Sequence, residues 1–181
     1  MKTFNQEQTE TLVQGVKYLL TAVGDDPERT GLLETPERVI KAHAEIYAHT
    51  GETTFKDYKL FDTTDDADMV IVEDIPFYAM CEHHLLPFFG TIDVAYVPDG
   101  EVIGLSKIPR LVDWASRRPS VQENLTALIA DQMQRIVHPK GLAVNVTARH
   151  MCMEMRGINR PGTQTNTCLL YTSDAADDGE S

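Results

Sequence analysis

The stretch Cys81-Glu82-His83-His84-Leu85-Leu86-Pro87-Phe88-Phe89-Gly90 places one thiol and two imidazoles within four residues, directly before an apolar run. Far downstream, about seventy residues on, Cys152 follows two residues after His150 in H-M-C. Thiolate sulfur and neutral imidazole nitrogen are the ligands that suit a borderline-soft divalent ion such as zinc. Two clusters so far apart in sequence point to one site assembled by folding. With Cys81, His84 and Cys152 as ligands, three protein donors leave a fourth position open for water, as in a catalytic site. A competing arrangement takes both His83 and His84 as ligands and closes the site as a structural one. Adjacent histidines in one short loop do not easily reach the same ion, so one ligand and one acid or base is the economical division. His83 and His150 are then spare imidazoles able to carry protons near neutral pH.

Outward from that stretch, the 181 residues fit one domain or a domain with an appendage, and a hydrophobic content of 42 % is ample for a core. The formal charge is -12, from 28 acidic and 16 basic residues, which argues against a nucleic-acid partner. An anionic substrate would need a local basic cluster. No stretch is long and apolar enough for a membrane span, and M-K-T-F-N-Q-E-Q lacks the apolar segment of a signal peptide, so the expected location is cytoplasmic. Three cysteines, two of them beside histidines, fit metal or catalytic use better than a disulfide framework.

Helical periodicity runs from about Gln6 to Val23, and Thr35 before Pro36 reads as the cap of a second helix reaching about Thr50. Arg38 and Lys41 share a face of that helix, where their composition alone reads as solvated surface. Met69–Ile75 reads as a strand interrupted by Pro76, and Phe88–Val97 as a second strand ending at P-D-G. A helix over Ser106–Arg118 stops at Pro119. Ser120 with Glu123 then forms a capping-box pattern for a helix to about Val137. Leu142–His150 is strand-like, and 155–167 reads as a bulged strand or edge hairpin. The class is therefore α+β: an antiparallel sheet with two helices on one face, whose open edges and second face call for self-assembly.

The tail C-L-L-Y-T-S-D-A-A-D-D-G-E-S from Cys168 changes character abruptly and resembles a translated sequencing adapter. The expected organisation is an N-terminal helical region and connector over 1–67, a catalytic domain over 68–167, and a non-native tail over 168–181.

Several separate motifs together carry a close resemblance to the GTP cyclohydrolase I family. They are R-T-G-L-L-E-T-P-E-R-V from Arg29, C-E-H-H-L-L-P-F from Cys81, V-I-G-L-S-K from Val102, R-R-P-S-V-Q-E-N-L-T from Arg117 and H-M-C-M-E-M-R-G from His150. The resemblance spans roughly residues 6 to 167 and implies a zinc enzyme that acts on GTP. It implies zinc on Cys81, His84 and Cys152, with His83 and His150 in acid-base catalysis and Ser106 helping a later ribose rearrangement. It further implies that Glu123, helped by Gln122, holds the guanine ring. Ser106, Lys107, Arg110 and Arg156 would hold the triphosphate, joined by Arg38 and Lys41 from a neighbouring subunit. The implied fold is the tunnelling fold, assembled into an oligomeric barrel as a homodecamer of two pentamers.

The chemistry agrees with these expectations. A triphosphate with about four negative charges needs clustered cations even on an acidic protein, and a carboxylate facing ring N–H donors reads guanine over adenine. Three departures stand out. Thr91 and Asp93 occupy positions where the family commonly has Lys and His, Thr163 and Asn166 replace the usual Ser and Val, and the family's closing strand and tail are expected to be absent. Two alternatives are a related tunnelling-fold enzyme acting on a pterin or 7-deazaguanine precursor, and a non-catalytic zinc-stabilised scaffold.

Overall fold

The computed structural model describes residues 3–64 and 68–172. The chain divides into two compact units, Met1–Thr50 and Gly51–Ser181. The connector expected to belong with the N-terminal helices thus falls in the second unit, because its strand β1 (Leu60–Asp62) pairs antiparallel with β4 (Glu101–Ile103).

The first unit holds α1 (Gln6–Ala22) and α2 (Thr35–Ile46). Asn5 caps α1 in a reciprocal capping box with Gln8, which satisfies two otherwise orphaned backbone donors. The cap of α2 is Glu34 rather than Thr35, and it makes no side-chain capping bond. Pro36 sits in the first turn, where its missing N–H breaks no helical bond. The helix ends at Ile46, short of Thr50, and a turn follows.

The second unit is built on the sheet order β5-β2-β3-β6-β7, with β2 (Val70–Cys81), β3 (Pro87–Val97), β5 (Pro119–Ser120), β6 (Gly141–His150) and β7 (Gln164–Thr172). All its pairings are antiparallel except the short β2–β5 contact. Strand β2 does not stop at Pro76. Its register shifts between Val72 and Ile75, where Asp74 adopts φ 54°, and the strand then resumes through the proline. A bulge absorbs the extra residue and Pro lies towards the sheet edge, where a missing donor is tolerated. Asp93 accounts for its own departure here, since its carboxylate accepts from the Asp74 N–H (2.9 Å) and from Asn145 Nδ2 (3.2 Å) and so ties the bulge to β3 and β6. Asn166, opposite Thr147 across β6 and β7, likewise accepts from the Thr147 hydroxyl at 2.6 Å.

Alternation along β3 and β6 sends Phe88, Ile92, Val94, Val144, Val146 and Ala148 inward, all at most 1 % exposed. They pack against α3 (Lys107–Ser116) and α4 (Gln122–Val137) through Ile108, Leu111, Val112, Leu125, Ile129 and Met133. The opposite sheet face leaves Ile71, Tyr78 and Leu170 exposed. Ser120 is not the expected cap: Val121 is, without a side-chain bond, because Ser120 is drawn into β5 beside Cys81.

The last strand begins at Gln164 and runs on to Thr172, so Cys168–Thr172, expected to lie in a tail, pair with Gly141–Asn145. Ladder bonds use backbone that any residue but proline supplies. Leu169 also packs against the core. The remainder of the expected tail, 173–181, lies outside the described residues.

Gly90 is enforced by close approach. A Cβ there would lie 1.9 Å from the Thr147 carbonyl oxygen on the partner strand. Gly90→Ala should therefore destabilise the fold by at least about 2 kcal/mol. An unchanged urea midpoint for that variant would contradict this account of the β3–β6 contact.

Candidate metal centre and substrate site

Strand β2 ends on Cys81, and residues 82–86 reverse the chain into β3. The reversal is tight. Leu85 N–H donates to the Cys81 carbonyl (2.8 Å) and Cys81 N–H to that of Leu86 (2.9 Å), while Leu85 takes the left-handed φ of 51° that a non-glycine residue seldom adopts. From the far side, β6 ends on His150 and the chain enters α5 (Met151–Glu154), which carries Cys152. Pairing of Phe88 with His150 across β3 and β6 brings the two segments together.

The result is a Cys81, His84 and Cys152 group whose donor atoms all lie within 4.8 Å of one another. Cys81 is buried and Cys152 half-buried. Burial and the facing Cys81 push the Cys152 thiol up, since two bare thiolates in contact repel. Two thiols and an imidazole gathered in this way are the donor chemistry of zinc, and the residues present fit it. His83 stands apart: its side chain is 64 % exposed, with Nδ1 3.9 Å from Cys81 Sγ and Nε2 3.8 Å from Glu82.

His84 Nε2 lies 2.9 Å from Arg156 NH1. Guanidinium only donates, so this imidazole nitrogen accepts and is unprotonated there. Arg156 is exposed, in the loop after α5. That loop is tied down by Glu154, which is only 7 % exposed and receives both Nε and NH2 of Arg149. The guanidinium holds its carboxyl below the usual range.

His150 is held on two sides. Its ring stacks on Phe88 with centroids 4.9 Å apart and planes 1° from parallel, and its Nε2 lies 2.8 Å from Gln122 Oε1. Burial pushes the imidazole below its ordinary range, while the charge of Glu123 pushes it back up.

Gln122 and Glu123 open α4 but face different surroundings. Glu123 is exposed, as a ligand contact requires. Gln122 is 2 % exposed and bonded at both ends of its amide to the protein. Gln122 is expected to help Glu123 hold guanine, and its side-chain hydrogen-bonding groups are taken up inside the fold. The turn leading into α4 is set by Arg118, which lies 4.4 Å over the Trp114 ring and donates to the Glu52 carbonyl at 2.8 Å.

Lys107 and Arg110 occupy the first turn of α3, where Ser106 is the cap and its hydroxyl makes no capping bond. Both cations converge on Asp57, Lys107 Nζ at 2.5 Å and Arg110 NH1 at 2.6 Å, and together they hold that carboxyl below its usual range. Asp57 went unnoticed in the sequence because F-K-D-Y-K carries no period. Arg38 and Lys41 belong to the first unit, where Arg38 pairs with Glu34 and Lys41 lines a cleft of about 510 Å³ between the two helices. Met155 is 64 % exposed, whereas Met151 and Met153 are half-buried.

A sequence profile described as GTP cyclohydrolase I matches residues 12–179. The chain belongs to the GTP cyclohydrolase I family. It is 58 % identical over 165 residues to "GTP cyclohydrolase 1" of Latilactobacillus sakei, covering 90 % of this chain and 87 % of that one. The protein of the same name from Lactiplantibacillus plantarum is 56 % identical over 164 residues, covering 90 % and 85 %. Among solved structures, an archaeosine synthase QueF-like protein in its apo form aligns with a TM-score of 0.47 and 17 % identity, over 58 % of this chain and 94 % of that one. Membership in the GTP cyclohydrolase I family agrees with the tunnelling-fold arrangement of paired strands, two helices and paired strands. Among the described residues no helix is long and apolar enough to cross a membrane.

Replacing Cys81, His84 or Cys152 with Ala should weaken zinc binding by at least about tenfold, whereas His83→Ala should leave it within about twofold. Metal analysis after dialysis checks this, and loss of zinc in His83→Ala would restore the closed four-ligand site.

Proposed function

We propose that this protein is a zinc-dependent GTP cyclohydrolase that hydrolyses GTP at purine C8, releases formate and rearranges the remainder to 7,8-dihydroneopterin triphosphate. The observation that carries the proposal is the convergence of Cys81, His84 and Cys152 with Arg156 bonded to the same imidazole, which sets a candidate phosphate ligand against a candidate metal centre. Zinc held by these three side chains would supply Lewis acidity that makes water nucleophilic near neutral pH.

The chain's own groups divide the remaining work. Lys107, Arg110 and Arg156 bind the triphosphate, with Ser106 at the positive end of α3 contributing its hydroxyl. Arg38 and Lys41 join them from a neighbouring subunit of a homodecamer built as two pentamers. The exposed apolar sheet face and the open edge of β7 support such self-association. The Glu123 carboxylate accepts from the guanine N–H groups and fixes the base. His150 and His83 move protons as C8 is hydrated, the imidazole ring opens and formate leaves. His150 and Ser106 then assist the ribose rearrangement and ring closure. Such a protein acts in the cytoplasm, where GTP is available.

Before substrate arrives, Asp57 neutralises Lys107 and Arg110 and competes with phosphate for them. Both ion pairs are solvated, so the competition is modest. Asp57→Asn should lower the KM for GTP by about two- to fivefold at low ionic strength, and the difference should shrink as salt is added. A raised KM would instead make Asp57 an organiser of the cations.

Formate release from GTP by the zinc-loaded protein is the direct test. His150→Ala should reduce turnover by about 10²- to 10⁴-fold while zinc stays near about one per subunit. Undiminished turnover in that variant would overturn the assigned acid-base role. A folded, zinc-loaded wild type that binds GTP yet releases no formate would be a scaffold and not an enzyme.

A further inference from the structure

Gln122, in the first turn of α4, has its side-chain amide enclosed by β6 and β7. Its Nε2 lies 3.0 Å from the Val146 carbonyl oxygen, 3.0 Å from that of Thr165 and 3.1 Å from Thr167 Oγ1. Peptide carbonyls only accept, so the amide atom facing them must be the nitrogen. The flipped amide would set oxygen against two oxygens in a buried place. The hydroxyls agree with this orientation. Thr126 donates its proton to the Gln122 backbone carbonyl (2.8 Å), so across the 2.7 Å contact between the two threonines it is Thr167 that donates. Thr167 keeps a lone pair to accept from Gln122.

Gln122 Oε1 consequently faces His150 Nε2, at 2.8 Å. An amide oxygen only accepts, so Nε2 carries the hydrogen. The Phe88 stack fixes the plane of the ring, and the amide fixes its rotation within that plane. Among the described residues, Nδ1 has no hydrogen-bond partner.

We propose that Gln122 is a positioning residue which holds His150 as the Nε2–H tautomer, leaving Nδ1 as the ring nitrogen that exchanges a proton with substrate. The inference rests on the reading of His150 as an acid-base group, and it gives Gln122 a role through that histidine and not through the guanine ring. Because Thr165 and Thr167 belong to β7, the last described strand is part of the device: its backbone orients the amide that orients the imidazole.

The tautomer can be read without turnover. Solid-state ¹⁵N spectra of the full chain, zinc-loaded and labelled on histidine, should show a ring with protonated Nε2 and bare Nδ1 that disappears in His150→Asn. A protonated Nδ1 on that ring overturns the proposal, whether or not the protein acts on GTP. Kinetics give the second readout. Gln122→Met, which keeps the volume but loses the acceptor, should lower kcat by about 10- to 100-fold with KM for GTP within about twofold and zinc content unchanged. A raised KM with preserved kcat would overturn the proposal and make Gln122 a substrate contact. Should the variant fail to fold, the wild-type spectrum alone decides.

Discussion

The register between β3 and β6 is the constraint on which the rest depends. Ten residue pairs are matched without a shift, from Phe88 opposite His150 to Val97 opposite Gly141. In a sheet the side-chain period is two, so a slip of one residue would turn every inward group of one strand to the other face. Here such a slip would expose Val144 and Val146, remove Phe88 from beneath His150 and carry α5 away from the Cys81 turn. Gly90 pins the pairing, since only a residue without Cβ lets the Thr147 carbonyl come so near. The apolar core and the metal donors are thus set by the same ladder, with the donors at its end.

Much of this was legible in the sequence, for reasons that differ from residue to residue. Cys81, His84 and Cys152 announce themselves because metal-binding residue types are scarce and cluster. The helices α3 and α4 follow from apolar period, and β6 from alternation. What could not be read depends on partners remote in sequence. The bulge that carries β2 through Pro76 is held by Asp93, nineteen residues beyond Asp74, and the sequence shows only an odd aspartate. Ser120 and Glu123 match a capping box by spacing, but the β2–β5 contact claims Ser120 first. Gln122 beside Glu123 reads as a second ligand for one ring, although a helix sets neighbours about 100° apart and so sends one inward as the other faces solvent.

Charge shows how a chain of formal charge -12 can offer a site to a polyanion. Four cations of the candidate phosphate set already have partners: Asp57 for Lys107 and Arg110, the His84 ring for Arg156, Glu34 for Arg38. Exposed pairs of this kind add little to stability. Their effect is to hold extended side chains near their working positions and to keep a cationic cluster from attracting adventitious anions. A triphosphate, with more charge than any single carboxylate, can displace those partners.

The histidines around the candidate metal centre then differ by environment, not by chemistry. His84 meets a guanidinium, so its Nε2 accepts from Arg156, and that lone pair does not serve a metal at the same time. His83 is solvated and beside Glu82. His150 is stacked and bonded, its hydrogen committed to Gln122 by a network in which every donor meets an acceptor. Such a network resists rearrangement because turning the amide would leave two buried carbonyls facing an oxygen. His150 can therefore gain or lose a proton at Nδ1 without the amide moving. The proposed acid-base role of His150 would need that constancy, and the last described strand, β7, helps to supply it.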